Sequence, residues 1–133
     1  MDACRAELPD RYLTSRIIDA SIAVHRVLGP GYLEAIYEEA LCVELAFRRI
    51  AFERQMGVRL MYRDQVVGEH RLDLLVAERV VVELKAIKAF DAIHFSVVRS
   101  YMKAVRVESG LLLNFAAMPL AVKRVGREYP PPS

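Results

Sequence analysis

The chain has 133 residues, of which 54% are hydrophobic and 27% charged. That composition excludes a disordered tail or a collagen-like fibre, and the length suits one domain around one core. Net charge is +2, divided as −3 over residues 1–78 and +5 over residues 79–133; the basic half could meet a phosphate backbone or simply present solvated faces, and no Lys/Arg tract forms an arm.

Residues 1–13 read as an N-terminal extension. Met1-Asp2-Ala3-Cys4-Arg5 has no apolar run behind it, so no signal peptide is expected, and no stretch approaches the roughly 18 apolar residues of a membrane span. The expected location is therefore the cytoplasm, with no membrane partner. Cys4 and Cys42 make neither a disulfide framework nor a zinc site and fit a reducing compartment. Thr14 or Ser15 can cap a first helix running to about Leu28, with Ile17, Ile18, Ile22, Val24 and Leu28 at helical spacing. Gly29-Pro30-Gly31 ends it. A second helix is expected from about Tyr32 to Arg48, its buried stripe formed by Leu33, Ile36, Tyr37, Ala40, Leu41 and Phe47.

From about Phe52 the period changes to that of a strand, with Val58, Leu60 and Tyr62 alternating with Arg59 and Met61. Arg63-Asp64-Gln65 can turn the chain, and residues 66–76 and 80–86 read as two more strands. A third helix is expected from about His94 to Val107, stopped by Glu108-Ser109-Gly110. Residues 110–115 form an apolar run suited to a buried strand, and a last short strand is expected around Ala121–Val125. The order is α-α-β-β-β-α-β-β, an α/β (α+β) arrangement. Its three successive strands favour a meander, and its third helix allows a crossover to a parallel partner. The single domain spans 14–127, and residues 128–133 with Pro130-Pro131-Pro132 form a Pro-rich tail.

Alternation places Asp73 on one face with Arg71 and Leu75, and Leu72, Leu74 and Val76 on the other; on the next strand Glu83 and Lys85 share a face with Val81. If Val76 pairs with Val80 around Ala77-Glu78-Arg79, Asp73 falls opposite Glu83, whereas a slip of one residue separates their faces. Like charges opposed across strands destabilise a sheet, and burial raises the cost. A hard divalent cation would compensate, since Mg²⁺ takes carboxylate oxygens and keeps several waters. A Lys85 ammonium on the same face can hold a water or offset a developing phosphorane charge. The plainer reading is a half-exposed sheet with Lys85 in an ordinary ion pair. Glu34 and Glu38 stand one turn apart on the second helix, where a negative charge near the N-terminus is favoured in any case.

Gly31-Tyr32-Leu33-Glu34-Ala35-Ile36-Tyr37 matches a GxxExxY signature, preceded by Val24-His25-Arg26-Val27-Leu28-Gly29-Pro30 and followed by Glu38-Glu39-Ala40-Leu41. With Asp73-Leu74-Leu75-Val76, Val82-Glu83-Leu84-Lys85-Ala86, Ile93-His94, Tyr101-Met102-Lys103 and Leu112-Leu113-Asn114-Phe115, the chain resembles the GxxExxY group of the PD-(D/E)XK nuclease-like superfamily over about residues 14–127. The resemblance implies a restriction-endonuclease-like core with a mixed central sheet, and a metal-dependent phosphodiesterase acting on nucleic acid, with DNA the expected substrate. Asp73, Glu83 and the carbonyl of Leu84 would bind Mg²⁺ or Mn²⁺, Lys85 would position the attacking water, and Glu34 and Glu38 would assist the metal. In-line attack would expel a 3′-oxygen and leave a 5′-phosphate.

Lys103, Tyr101, His94 and His25 are candidate substrate contacts, although the two histidines lack metal-ligand spacing and equally suit capping or packing. Tyr37 and Tyr101 suit core aromatics with satisfied hydroxyls. Relatives often carry Gln four residues before the third-helix tyrosine; here Val97 stands there and cannot hydrogen-bond. The rival expectation is a non-catalytic nucleic-acid- or protein-binding module on the same fold. A domain this small would need help to embrace a duplex, and a homodimer is the commonest solution.

Overall fold

In the computed structural model, which describes residues 10–127, two apolar runs decide the layering. Val80, Val82 and Leu84 alternate with Val81 along a strand buried on both faces, and the run Leu111-Leu112-Leu113 does the same beside it. A strand apolar on both sides needs cover on both sides. The cover comes from helices α1 (Arg11–Leu28) and α2 (Glu34–Phe47) on one face and α3 (Ala92–Val105) on the other. The strands are β1 (Phe52–Tyr62), β2 (Gln65–Val76), β3 (Val80–Lys85), β4 (Ser109–Asn114) and β5 (Ala121–Gly126).

Spatial order follows chain order, β1-β2-β3-β4-β5. All neighbours are antiparallel except β3 and β4, which are parallel and joined through α3. A parallel pair requires such a crossover, so the helix between two apolar strands settled this connection. Ile17, Ala20, Val24, Tyr37, Leu41 and Leu45 pack on Leu74, Val76, Val82 and Leu111. On the other face Val98, Tyr101 and Met102 pack on Val58, Leu72, Val81 and Leu112. Cys42 is buried in the first layer, which pushes its thiol up to about 11 and leaves it inert. Of the expected extension over residues 1–13, residues 1–9, including Cys4, lie outside the described residues, as does the tail over 128–133, while residues 11–13 form the start of α1. No described helix is long and apolar enough to cross a membrane.

Three local expectations differ from the structure. The first helix starts at Arg11, and neither Thr14 nor Ser15 caps it: the Thr14 hydroxyl donates back to the Arg11 carbonyl at 3.0 Å. A hydroxyl satisfied within its own turn is not available as a cap. Leu33, Ile36 and Phe47, expected in the buried stripe of α2, are exposed. Most significantly, strand alternation breaks at Asp73. Leu74 and Val76 face α1 and α2, but Leu72 joins Leu75 in the α3 layer. The partner strand reverses at the same level, since Phe52 packs with the first layer and Met56, Val58 and Leu60 with the second.

The β2–β3 turn keeps the register expected from hydrophobic pattern, Val76↔Val80 and Leu74↔Val82. Ala77 and Glu78 take left-handed φ values of 53° and 59°, held by the Arg79 N–H on Val76 O at 2.9 Å and the Ala77 N–H on Ala51 O at 2.8 Å. Burial of both strands fixes the pairing, and the turn adapts to it.

Between α1 and α2 the signature tyrosine acts as a staple. Tyr37 is fully buried, stacks on Phe115 at 4.6 Å, donates its hydroxyl to Gly29 O at 2.6 Å and accepts the Tyr32 N–H at 3.1 Å. Gly29 and Gly31, at φ 69° and 119°, let the loop turn inward to meet that hydroxyl. Tyr37→Phe keeps the ring and loses both bonds; a drop of about 1 kcal/mol in unfolding free energy is expected by urea denaturation.

Candidate active site

The β2–β3 ladder stops one pair short of the residues that matter. Beyond Leu74↔Val82, side chains take over from backbone: the Asp73 N–H donates to Glu83 Oε2 at 2.7 Å, and the Leu84 N–H donates to Asp73 Oδ2 at 2.9 Å. Each carboxylate is thus tied to the other's strand, and the two acids stand together at the end of a hairpin.

Glu83 is buried, and loss of hydration with the neighbouring Asp73 charge pushes its carboxyl up to about 8. Burial also raises Asp73, against the pull of the Leu84 N–H and the Lys85 ammonium. Lys85 favours the charged form of both acids, as a cation on their side of the sheet does. Glu34 adds a third negative charge acting on both, while its Oε2 accepts the Ala86 N–H at 3.3 Å. On α3, the phenol of Tyr101 is raised by its own burial and then by the charges of the same two acids. Its hydroxyl lies 3.5 Å from Nδ1 of His70 on β2.

Hydrogen bonds thus join Asp73 to Glu83, and the charges of Lys85 and Glu34 act on both acids. Glu38 reaches the same region but is already committed: Oε2 pairs with Arg54 at 3.2 Å and Oε1 accepts the Gln55 amide at 2.9 Å. Lys103 is not brought in. It lines a cleft with Arg106, Glu108 and Arg127 at the C-terminal end of α3, beside the start of β4, whereas the acids stand near the end of β3. His25 is buried with Nε2 3.2 Å from Phe115 O, and the Nδ1 of His94 accepts the Asp91 N–H at 2.9 Å in a capping box that starts α3. The fold uses both imidazoles internally. Val97 packs against the α3 layer.

Four residues of this region escape sequence reading. Arg54, Gln55 and His70 carry no local signal, because their partners lie on other elements. Asn114 does carry one, as the lone amide in the apolar run 110–115. It is buried, accepts the N–H groups of Ile87 and Ala116 at 3.1 Å each, and donates to Ile87 O at 2.8 Å, fixing the chain just after Lys85.

The donor set fits a hard divalent cation: two hydrogen-bonded carboxylates with raised proton affinity, a third nearby, and one ammonium opposing them. Among the described residues no group of three or more His, Cys, Asp or Glu is already arranged to hold a metal. Asp73 and Glu83 form the pair, and Glu34 is turned to Ala86.

A family model for the PD-(D/E)XK nuclease superfamily matches residues 11–125. The chain belongs to the PD-(D/E)XK nuclease superfamily. Among solved structures, that of SSO0001 is similar with a TM-score of 0.57 at 16% identity, covering 72% of this chain and 50% of that one. That likeness is one of fold, and the chain spans half the length of that structure. No curated protein matches. The observed α-α-β-β-β-α-β-β order and mixed five-stranded sheet are those expected of the superfamily.

As a member of this superfamily, the protein should show the cost of its acid pair in the absence of metal. Glu83 holds its proton more tightly folded, at about 8, than unfolded near 4.5. The folded state then binds more protons within that window, so this group's contribution to stability falls as pH rises from about 4.5 to 8. Glu83→Gln keeps an acceptor for the Asp73 N–H and removes the titration. Melting curves in EDTA should show a wild-type midpoint that declines over this range more steeply than the variant's; parallel declines would refute the assignment.

Proposed function

We propose that this protein is a metal-dependent nuclease of the GxxExxY group that hydrolyses phosphodiester bonds in DNA. The observation that carries the reading is the reciprocal bonding of Asp73 and Glu83 at the end of a hairpin, with Lys85 acting on both. Asp73 and Glu83 would hold Mg²⁺ or Mn²⁺, with the Leu84 carbonyl and Glu34 as further oxygen donors. Bound there, the ion supplies positive charge for the phosphoryl oxygens and acidifies water.

The chain's own groups do the rest. The Lys85 ammonium hydrogen-bonds the attacking water and offsets negative charge that grows on the phosphoryl oxygens. The water adds to phosphorus opposite the 3′-oxygen. The P–O3′ bond then breaks with its electron pair, one proton of the attacking water passes to solvent, the departing 3′-oxygen takes a proton from solvent water, and the products are a 5′-phosphate and a 3′-hydroxyl. Tyr101, with its phenol kept protonated, offers a donor toward the same acids or a phosphate oxygen. Asn114 and Tyr37 act through the backbone, holding the segments that carry Lys85 and Glu34. Two copies acting together in the cytoplasm would span a duplex that one such domain does not embrace.

The test is incubation of the purified protein with single-stranded, duplex and branched DNA, with and without Mn²⁺. Metal-dependent cleavage leaving 5′-phosphates is expected. Mn²⁺ binding by calorimetry without cleavage of any substrate would favour the rival, a nucleic-acid- or protein-binding module on this fold.

A further inference from the structure

Gln55 stands where pairing of β1 with β2 lapses. Arg54↔Leu74 and Met56↔Leu72 are paired, and Gln55 with Asp73 between them is not. Gln55 also takes a left-handed φ of 51°. A glutamine pays on the order of 1 kcal/mol or more for that conformation, and such a residue persists only where its surroundings hold it there. Both strands change faces at this level, so the outlier lies at the twist that presents Asp73.

Every polar group of Gln55 that the structure accounts for points into one network. Its carbonyl accepts Nη1 of Arg71 at 2.9 Å. Its amide Nε2 donates to Glu38 Oε1 at 2.9 Å and lies 3.4 Å from Asp73 Oδ1. Glu38 is itself buried and fixed from its other oxygen by Arg54. The amide is thereby anchored on α2 and directed at Asp73, whose second oxygen the Leu84 N–H holds. Both donors on Asp73 are neutral. They can orient the carboxylate without cancelling its charge, whereas a guanidinium in the same place would neutralise it and compete with a cation.

We infer that Gln55 is a positioning residue that aims the Asp73 carboxylate for a divalent cation, with the Arg54–Glu38 pair as its anchor. This deepens the metal reading above and rests on it. Residues that hydrogen-bond and orient a metal-ligating carboxylate typically govern metal affinity by 10- to 100-fold.

Two variants separate positioning from stability. Gln55→Met keeps the length and the backbone strain and loses the amide. Gln55→Gly loses the amide and relieves the strain, so it should melt above the methionine variant in EDTA. Mn²⁺ titrated by calorimetry into each protein should bind about tenfold more weakly to both variants than to the wild type, regardless of their order of melting. Wild-type affinity in either variant would overturn the inference while leaving the metal reading intact. Absence of Mn²⁺ binding by the wild type would overturn that reading, and the role of Gln55 with it.

Discussion

Asp73→Asn is expected to weaken Mn²⁺ binding by at least about 100-fold by calorimetry, a larger loss than is usual for a supporting residue, and to leave the protein folded. The substitution removes one negative charge and little else. Its amide oxygen can still accept the Leu84 N–H, now made at 2.9 Å, while the 3.4 Å approach of the Gln55 amide is given up. Removal of the charge also relieves Glu83, whose carboxyl is pushed up to about 8 by burial and then by the Asp73 charge. The melting temperature in EDTA should therefore hold or rise as affinity collapses. A variant that loses stability in step with affinity would mark Asp73 as a structural acid only, and an unchanged affinity would exclude it as a ligand.

Lys85→Met should produce the opposite separation. DNA cleavage should fall by roughly 100- to 1,000-fold, the effect of removing one donor that meets developing charge, while Mn²⁺ binding is retained or tightened. The sign follows from the electrostatics: the ammonium favours the charged form of both acids, and as a cation it opposes entry of a second cation. Methionine replaces the unbranched stem of the half-buried lysine up to Cε and omits only the ammonium. Single-turnover cleavage at saturating Mn²⁺ measures the chemical step apart from metal affinity. An undiminished rate would remove Lys85 from the reaction, and metal binding lost together with cleavage would make it a support for the site.

The hairpin was legible because its residues describe it. Val76 and Val80 are buried on the same layer, and a slip of one residue would have put apolar and charged side chains on the wrong faces. Granted the Val76–Val80 pairing, that pattern sets Asp73 opposite Glu83, although the turn between them contains no glycine or asparagine. Tyr37 was legible as a satisfied core aromatic for a similar reason: a buried hydroxyl must find partners. The reversal of faces at Asp73 was not legible. It depends on the Gln55 backbone, on Arg71 reaching its carbonyl and on an amide reaching α2, none of which leaves a periodic trace.

The same contrast explains the remaining site residues. Glu38 looks like a second Glu34 in sequence, one turn further along α2, yet Arg54 and Gln55 occupy its oxygens. Lys103 follows Tyr101 by two positions, which on a helix turns it away from the sheet and toward the far end of α3.

From its order of residues alone this chain settled the order of its elements and, granted the Val76–Val80 pairing, a register that sets Asp73 opposite Glu83, since each follows from burial of apolar side chains at fixed local periods. Only the assembled structure decided which acid keeps its oxygens available, which helix supplies the supporting charge and where the sheet turns over. Those outcomes rest on hydrogen bonds between residues far apart in the chain, and a local period carries no record of them.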